Sequence, residues 1–272
     1  MRNFLLLVTI VACCGGAFGQ SPPSTCDSTK ILSVQNLASG DTVNSLGGLS
    51  KISWCDFEFP APTTPVTSVL VHGQPAFITY KTVMQSSPVT SVILHGYPSF
   101  VPHEIVAQLP NSGVPIESVQ LQLRRGSSTI ASTSIQIQDF SPGIFTLDGT
   151  PAGPAIVWDS VMNYILETNP AHSGEAVTVF CEGLGPTNPF VPTGSVPKGL
   201  AVTTSTPQVF VGTQLAPVIL SRLASGNATP SAAGVYEVTF VVPPVTAGRA
   251  DLPIYLSIGG KTSNTALLPV AP

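Results

Sequence analysis

The sequence predicts an all-β protein: two immunoglobulin-like antiparallel β-sandwich domains behind a secretory signal peptide. Three observations predict it. Segments such as "SVQLQLRR" and "VYEVTFVVP" alternate apolar and polar residues with the period of a half-buried strand. Breaks rich in glycine and proline follow them, at "RRGSS", "DFSPG", "GLGPTNP", "VPPVTAG" and "IGGKTSN". No regular helical crossovers separate the segments, which favours antiparallel sandwiches over a parallel sheet.

Composition agrees with this reading and excludes several function classes. The chain is 43% hydrophobic and only 9% charged, which supplies a core that disordered chains lack. Its 27 prolines and 24 glycines suit short strands joined by tight turns. A net charge of -4 leaves no basic surface for nucleic acid or another polyanion.

Residues 1–19 read as a signal peptide: Arg2, the apolar run "FLLLVTIVACC", then the small-residue site "AFG" before Gln20. That run is shorter than the roughly 20 residues a membrane-spanning helix needs. A rival parse takes "IVAC" as a lipoprotein signal, with Cys13 as the lipidated anchor. Either way the expected location is extracellular or on the cell surface.

Residues 20–138 form the expected amino-terminal sandwich. Within it "PVTSVLVHGQPAF" and "PVTSVILHGYPSF" repeat one another, predicting a duplicated hairpin over 65–83 and 88–106. Each copy places a His-Gly pair, His72 and His95, between two apolar stretches. Glycine accepts positive φ freely and histidine visits that region readily, so the pair is competent turn chemistry. Metal binding would need further ligands, and only His103 and Glu104 lie nearby. Beyond the leader the cysteines are Cys26, Cys55 and Cys181. Cys26 and Cys55 both fall in a weakly patterned stretch, and a disulfide between them would stabilise it by about 3–4 kcal/mol. Trp54 would pack over that bridge.

Residues 139–272 form the expected second sandwich, entered at "DFSPG". Val177, Val179 and Cys181 share one face of "AVTVFCEG", so the Cys181 thiol reads as a small buried hydrophobe. Tyr236, Val238, Phe240 and Val242 align in the same way, as do Ile254, Leu256 and Ile258. The stretch "WDSVMNYIL" fits a helical turn, a strand or a loop.

The carboxy-terminal half resembles the Solibacter-type carboxy-terminal domain family of uncharacterised exported proteins abundant in Acidobacteria. The resemblance rests on "FSPGIFTLDGT" from Phe140, "NPAHSGEAVTVFCEGLGPTNP" from Asn169, "GVYEVTFVVP" from Gly234 and "LSIGGKTSN" from Leu256. It extends upstream through "SVILHGYPSF" and "EIVAQLP", to cover roughly residues 88–272. Glu237 and Thr239 stand where the family tends to have Gln and Asn, and "VWDSVMNYILE" replaces a more polar loop. The resemblance implies an immunoglobulin-like sandwich and no reaction, so it transfers no functional residue.

Enzyme chemistry is not expected. The chain has no nucleophile elbow, zinc-protease helix, phosphate loop or EF-hand. Glu167, Glu175, Glu182 and Glu237 are the carboxylates that an acid/base pair would need, yet their settings read as solvated surface. His172 lies in the turn "NPAHSGE" and belongs to no motif. The expected role is noncatalytic binding or adhesion at the cell surface, without a cofactor, to an extracellular polysaccharide or an exported protein. A structural spacer or self-assembling envelope protein is the alternative, and a secreted hydrolase a remote one. Trp158 and Tyr164 are the candidate ligand contacts, because an exposed indole stacks on sugar rings; the competing reading of Trp158 is a core plug.

Overall fold

The computed structural model describes residues 31–57, 66–83, 100–224, 233–244 and 250–271. The expected signal peptide, Cys13, Cys26, His95 and most of the second hairpin copy lie outside the described residues. Cys55 falls on a strand, and the expected Cys26–Cys55 disulfide lies outside the described residues and side chains.

The first unit holds β1 (Ile31–Asn36), β2 (Val43–Ser45), β3 (Leu49–Phe57), β4 (Ser68–Val71), β5 (Gln74–Val83), β6 (Phe100–Gln108), β7 (Ser118–Arg125) and β8 (Ser128–Gln138). They hydrogen-bond in the order β1-β3-β6-β5-β4-β7-β8-β2. Strand β5 joins the two layers: Gln74–Ala76 pair with β4, and Phe77 onward pairs with β6. A register shift between Ile78 and Tyr80 accompanies the crossing, as a bulge does where a strand bends between layers. The turn from β4 to β5 is His72-Gly73, with φ of 49° and 78°. Positive φ at both positions is what a two-residue hairpin loop requires.

The second unit holds β9 (Gly143–Ile144), β10 (Val157–Trp158), β11 (Ala171–His172), β12 (Ala176–Glu182), β13 (Thr187–Asn188), β14 (Val202–Thr203), β15 (Gln208–Val211), β16 (Gln214–Ala216), β17 (Val218–Leu223), β18 (Tyr236–Val241), β19 (Ala250–Ile258), β20 (Lys261–Thr262) and β21 (Ala266–Ala271). One sheet runs β10-β12-β18-β17-β14-β13, with β9 on β12; the other runs β11-β21-β19-β15-β16, with β20 on β19. Among the described residues no ladder joins a strand ending by Gln138 to one starting from Gly143.

Each unit has its own core. Ile52, Val69, Leu121, Leu123 and Ile137 fill the first, and Val177, Val179, Phe240, Ile254 and Leu256 the second. These residues occupy the inward positions of the period-two pattern. Burying each larger aliphatic or aromatic side chain stabilises by about 1.5–3 kcal/mol. Among the described strands two ladders depart from the antiparallel expectation: β2 runs parallel to β8, and β11 parallel to β21. Both are short segments entering at a sheet edge, where direction is set by the preceding chain rather than by a hairpin. "WDSVMNYIL" contains no helix; it is a loop closed by a bridge between Trp158 and Tyr164.

Candidate functional site

The motif residues of the second unit converge where the two sandwiches meet. The Phe140 ring lies against Gly259, where a β-carbon would stand 2.2 Å from it. Tyr236 donates its hydroxyl to the Gly185 carbonyl, tying β18 to the "GLG" turn. Asn36 of the first unit donates to the Ser141 carbonyl at 2.9 Å, and Ser141 returns a hydroxyl bond to the Val43 carbonyl at 2.9 Å. On another flank Asn111 donates to the Val191 carbonyl, while the Gly194 amide donates to Gln108 at 2.7 Å. A cleft of about 110 Å³ opens beside this seam, lined in part by Gln108, Asn111, Asp139 and Phe190. Its two amide side chains are already engaged by the protein.

Glu182 sits at the centre of the seam and is 0% exposed. This corrects its expected place on a solvated surface. Alternation does turn Glu182 away from its own sandwich core, but the first unit covers that side. Its Oε1 accepts from the Ala38 amide at 2.7 Å and its Oε2 from the Leu49 amide at 2.6 Å. Burial pushes the carboxyl up to about 8, opposed by the amides of Ala38, Leu49 and Leu37. Cys181 beside it is fully buried, and burial raises its thiol, as do the charges of Glu182 and Glu237; such a thiol is inert.

The other acidic candidates are scattered. Glu237 bonds Arg222 across the strand pair at 2.9 Å; burial raises its carboxyl, and Arg222 lowers it. Thr239 meets the Thr178 hydroxyl at 2.8 Å. Glu237 and Thr239 therefore form ordinary cross-strand pairs. Glu175 accepts from the His172 amide at 2.8 Å within a turn. Glu104 is pushed up by burial, and the Lys51 charge opposes the push. Among the described residues no group of three or more His, Cys, Asp or Glu is placed to hold a metal ion.

Trp158 and Tyr164 do not form an exposed platform. Trp158 is 8% exposed and stands edge-on to Phe180 and Tyr164, with centroids 4.5 and 5.6 Å away. Leu49 and Val106 of the first unit share this cluster, so the indole plugs the seam. What the loop does expose is Val161 and Met162, at 73% and 65%. The Asp159 carboxylate braces them, accepting from the Val161 and Asn163 amides at 2.9 and 2.8 Å. Burial pushes that carboxyl up, but bonds from Asn163, Val161 and Asn169 outweigh it and hold the group below its usual range.

Aromatic side chains reach solvent on the outer face of the sheet containing β15 and β19. Phe210 pairs with Tyr255 across the strands, and their rings stack at 4.8 Å with planes 8° apart. Leu215, 55% exposed, pairs with Phe210 on the other side. Leu267, paired with Pro253, extends the strip toward β21. The neighbouring row on this face is polar: Gln208, Ser257 and Thr262. Neither row carries a charged side chain. Tyr255 was legible as outward from "PIYLSI", but its partnership with Phe210 depends on a register that sequence does not state.

No protein-family model matches the chain. No curated protein matches it. Among solved structures it is similar to the SGBP-B protein of a Bacteroides ovatus mixed-linkage glucan utilization locus, solved with a mixed-linkage heptasaccharide. That match has 12% identity over 91% of this chain and 46% of the other, with a TM-score of 0.32. The chain thus spans about half the length of that protein. It is also similar to domains 5-6 of the S-layer protein SbsC, at 9% identity over 91% and 98% of the two chains, TM-score 0.27. Tandem Ig repeats of Dlar match at 10% identity over 89% and 96%, TM-score 0.22. At these values nothing about ligand or partner passes to this chain.

Proposed function

We propose that this chain is an exported, noncatalytic binding protein of the cell surface, and that it holds a neutral polysaccharide on the outer face bearing Phe210 and Tyr255. The observation that carries this reading is the aromatic and aliphatic strip beside an uncharged row of amide and hydroxyl groups. Outward sheet positions are normally polar. A sugar ring offers an apolar C–H face and a hydroxyl edge, which match the two rows. Neither row is charged and the exposed Asp251 beyond Pro253 is acidic, so a neutral ligand is favoured over an anionic one. The scattered carboxylates support a role without catalysis. Export rests on the leader read in residues 1–19; among the described residues no helix is long and apolar enough to cross a membrane. Membership of the Solibacter-type family fits a chain whose shared motifs build a joint between domains, since such motifs specify architecture and no ligand.

Affinity electrophoresis of the full chain through gels containing neutral or anionic envelope polysaccharides tests the reading. A neutral polymer is expected to retard it, and Phe210→Ala or Tyr255→Ala to weaken retardation roughly tenfold each, the usual loss at an aromatic anchor. Unchanged retardation in both variants would move the site off this face. The second reading, a self-assembling spacer, is favoured by the short edge strand β16 with its exposed Leu215. No retardation, together with a mass that grows with concentration, would put that reading first.

A further inference from the structure

Among the described residues no other acidic or basic side chain is withdrawn from water as Glu182 is. Its position is specific. The carboxyl ends β12 of the second sandwich, yet its two shortest bonds come from amides of the first: Ala38 in the turn after β1, and Leu49 at the start of β3. The partners are backbone groups that never titrate. Ionisation of Glu182 is therefore what varies in this contact, and its complete withdrawal from water makes that variation costly.

We propose that Glu182 is a proton-controlled latch between the two sandwiches, which close on one another with uptake of a proton and loosen as the pH rises from the acid range through neutrality. Two effects oppose each other at the carboxyl. Two short amide bonds favour the anion, and complete removal from water favours the neutral acid. Burial prevails and places the group at about 8, against an ordinary value of 4.5. The sign follows from linkage: a carboxyl raised by closure contributes fully below about 4.5, and its contribution is lost as the pH climbs to about 8. Within that window the closed joint weakens by roughly tenfold per pH unit.

The neighbouring titratable groups do not supply an alternative switch. Burial raises both Cys181 on the same strand and Tyr236 on β18, so both stay neutral through the window. Glu237 is held by Arg222. On the first-unit side, Lys51 of β3 acts on Glu104, and Asp41 of the β1–β2 turn is exposed. The causes acting on Glu182 itself are burial and the three amides, with no charged side chain among them.

Carboxyl carbon resonances of the glutamate-labelled full chain, followed from about pH 3 to about pH 10, read the latch directly. One carboxyl is expected to titrate near 8 and to be missing from Glu182→Gln. A Glu182 midpoint at or below the ordinary 4.5 would mean that the amides prevail and would overturn the proposal. Hydrogen exchange at the Ala38 and Leu49 amides, corrected for intrinsic base catalysis, gives an independent reading on the wild-type chain. Protection is expected to fall roughly tenfold per unit through the window and then level off. Protection that stays flat, or a slope that survives in Glu182→Gln, would overturn the latch. This test is independent of polysaccharide binding, so a failed ligand leaves it standing.

Discussion

Replacing Gly183 by alanine is expected to destabilise the protein by about 3 kcal/mol or more, a loss large enough to open the seam between the sandwiches. Gly183 has a φ of +72°, and a β-carbon there would stand 1.9 Å from the Ser141 carbonyl oxygen. That oxygen has no room to retreat, because it accepts the Asn36 side-chain amide across the seam. The Ser141 amide also donates to the Gly183 carbonyl at 3.1 Å, which pins the two backbones together. Gly174→Ala is the matching control: its φ is +82°, but nothing lies within 4 Å of the added carbon. The control isolates the left-handed backbone penalty, about 1 kcal/mol. Urea denaturation of both variants separates the terms. Equal losses would show that the close approach to Ser141 contributes nothing.

The two-layer fold was legible because a period of two reports which residues of a strand face a core. Val119, Leu121 and Leu123 point inward and Gln120 outward, as alternation requires. Alternation does not report what lies beyond the outward face. Glu182 was misjudged for that reason, and the two readings of Trp158, ligand contact and core plug, stayed open for the same one. Glu182 points away from its own core into the first sandwich, and Trp158 lies under residues brought from Leu49 and Val106, far away in sequence. The same limit hid the aromatic pair in the opposite sense. Phe210 and Tyr255 occupy outward positions that stay open, and their stacking depends on β15 meeting β19 in one particular register. Motif patterns fared differently. "FSPGIF", "CEGLGP" and "GVY" lie far apart in the sequence, and their common purpose appears only when Phe140, Glu182, Gly185 and Tyr236 meet at one joint.

Removing the Glu182 carboxyl should be nearly as damaging as crowding Gly183. In Glu182→Ala the Leu49 amide loses its acceptor while remaining inside the seam, and the Ala38 amide is left with only its longer bond to Asn36 Oδ1 at 3.1 Å. An unsatisfied buried donor costs about 1–3 kcal/mol, so a total of about 2–4 kcal/mol is expected, including the cavity that is left. The surface comparison is Glu237→Ala, which breaks a partly exposed bridge to Arg222 and should cost no more than about 1 kcal/mol. The pH dependence of the Glu182→Ala loss separates a satisfied buried acid from a merely bulky filler. The carboxyl is raised to about 8 in the closed joint, so its contribution is greatest at acid pH and declines as the pH rises from 4.5 toward 8. Denaturation of wild type and variant at pH values near the two ends of that window should therefore show the larger difference at the acid end. A larger difference at the alkaline end would mean that the anion, held by its two amides, is the form the joint was built around.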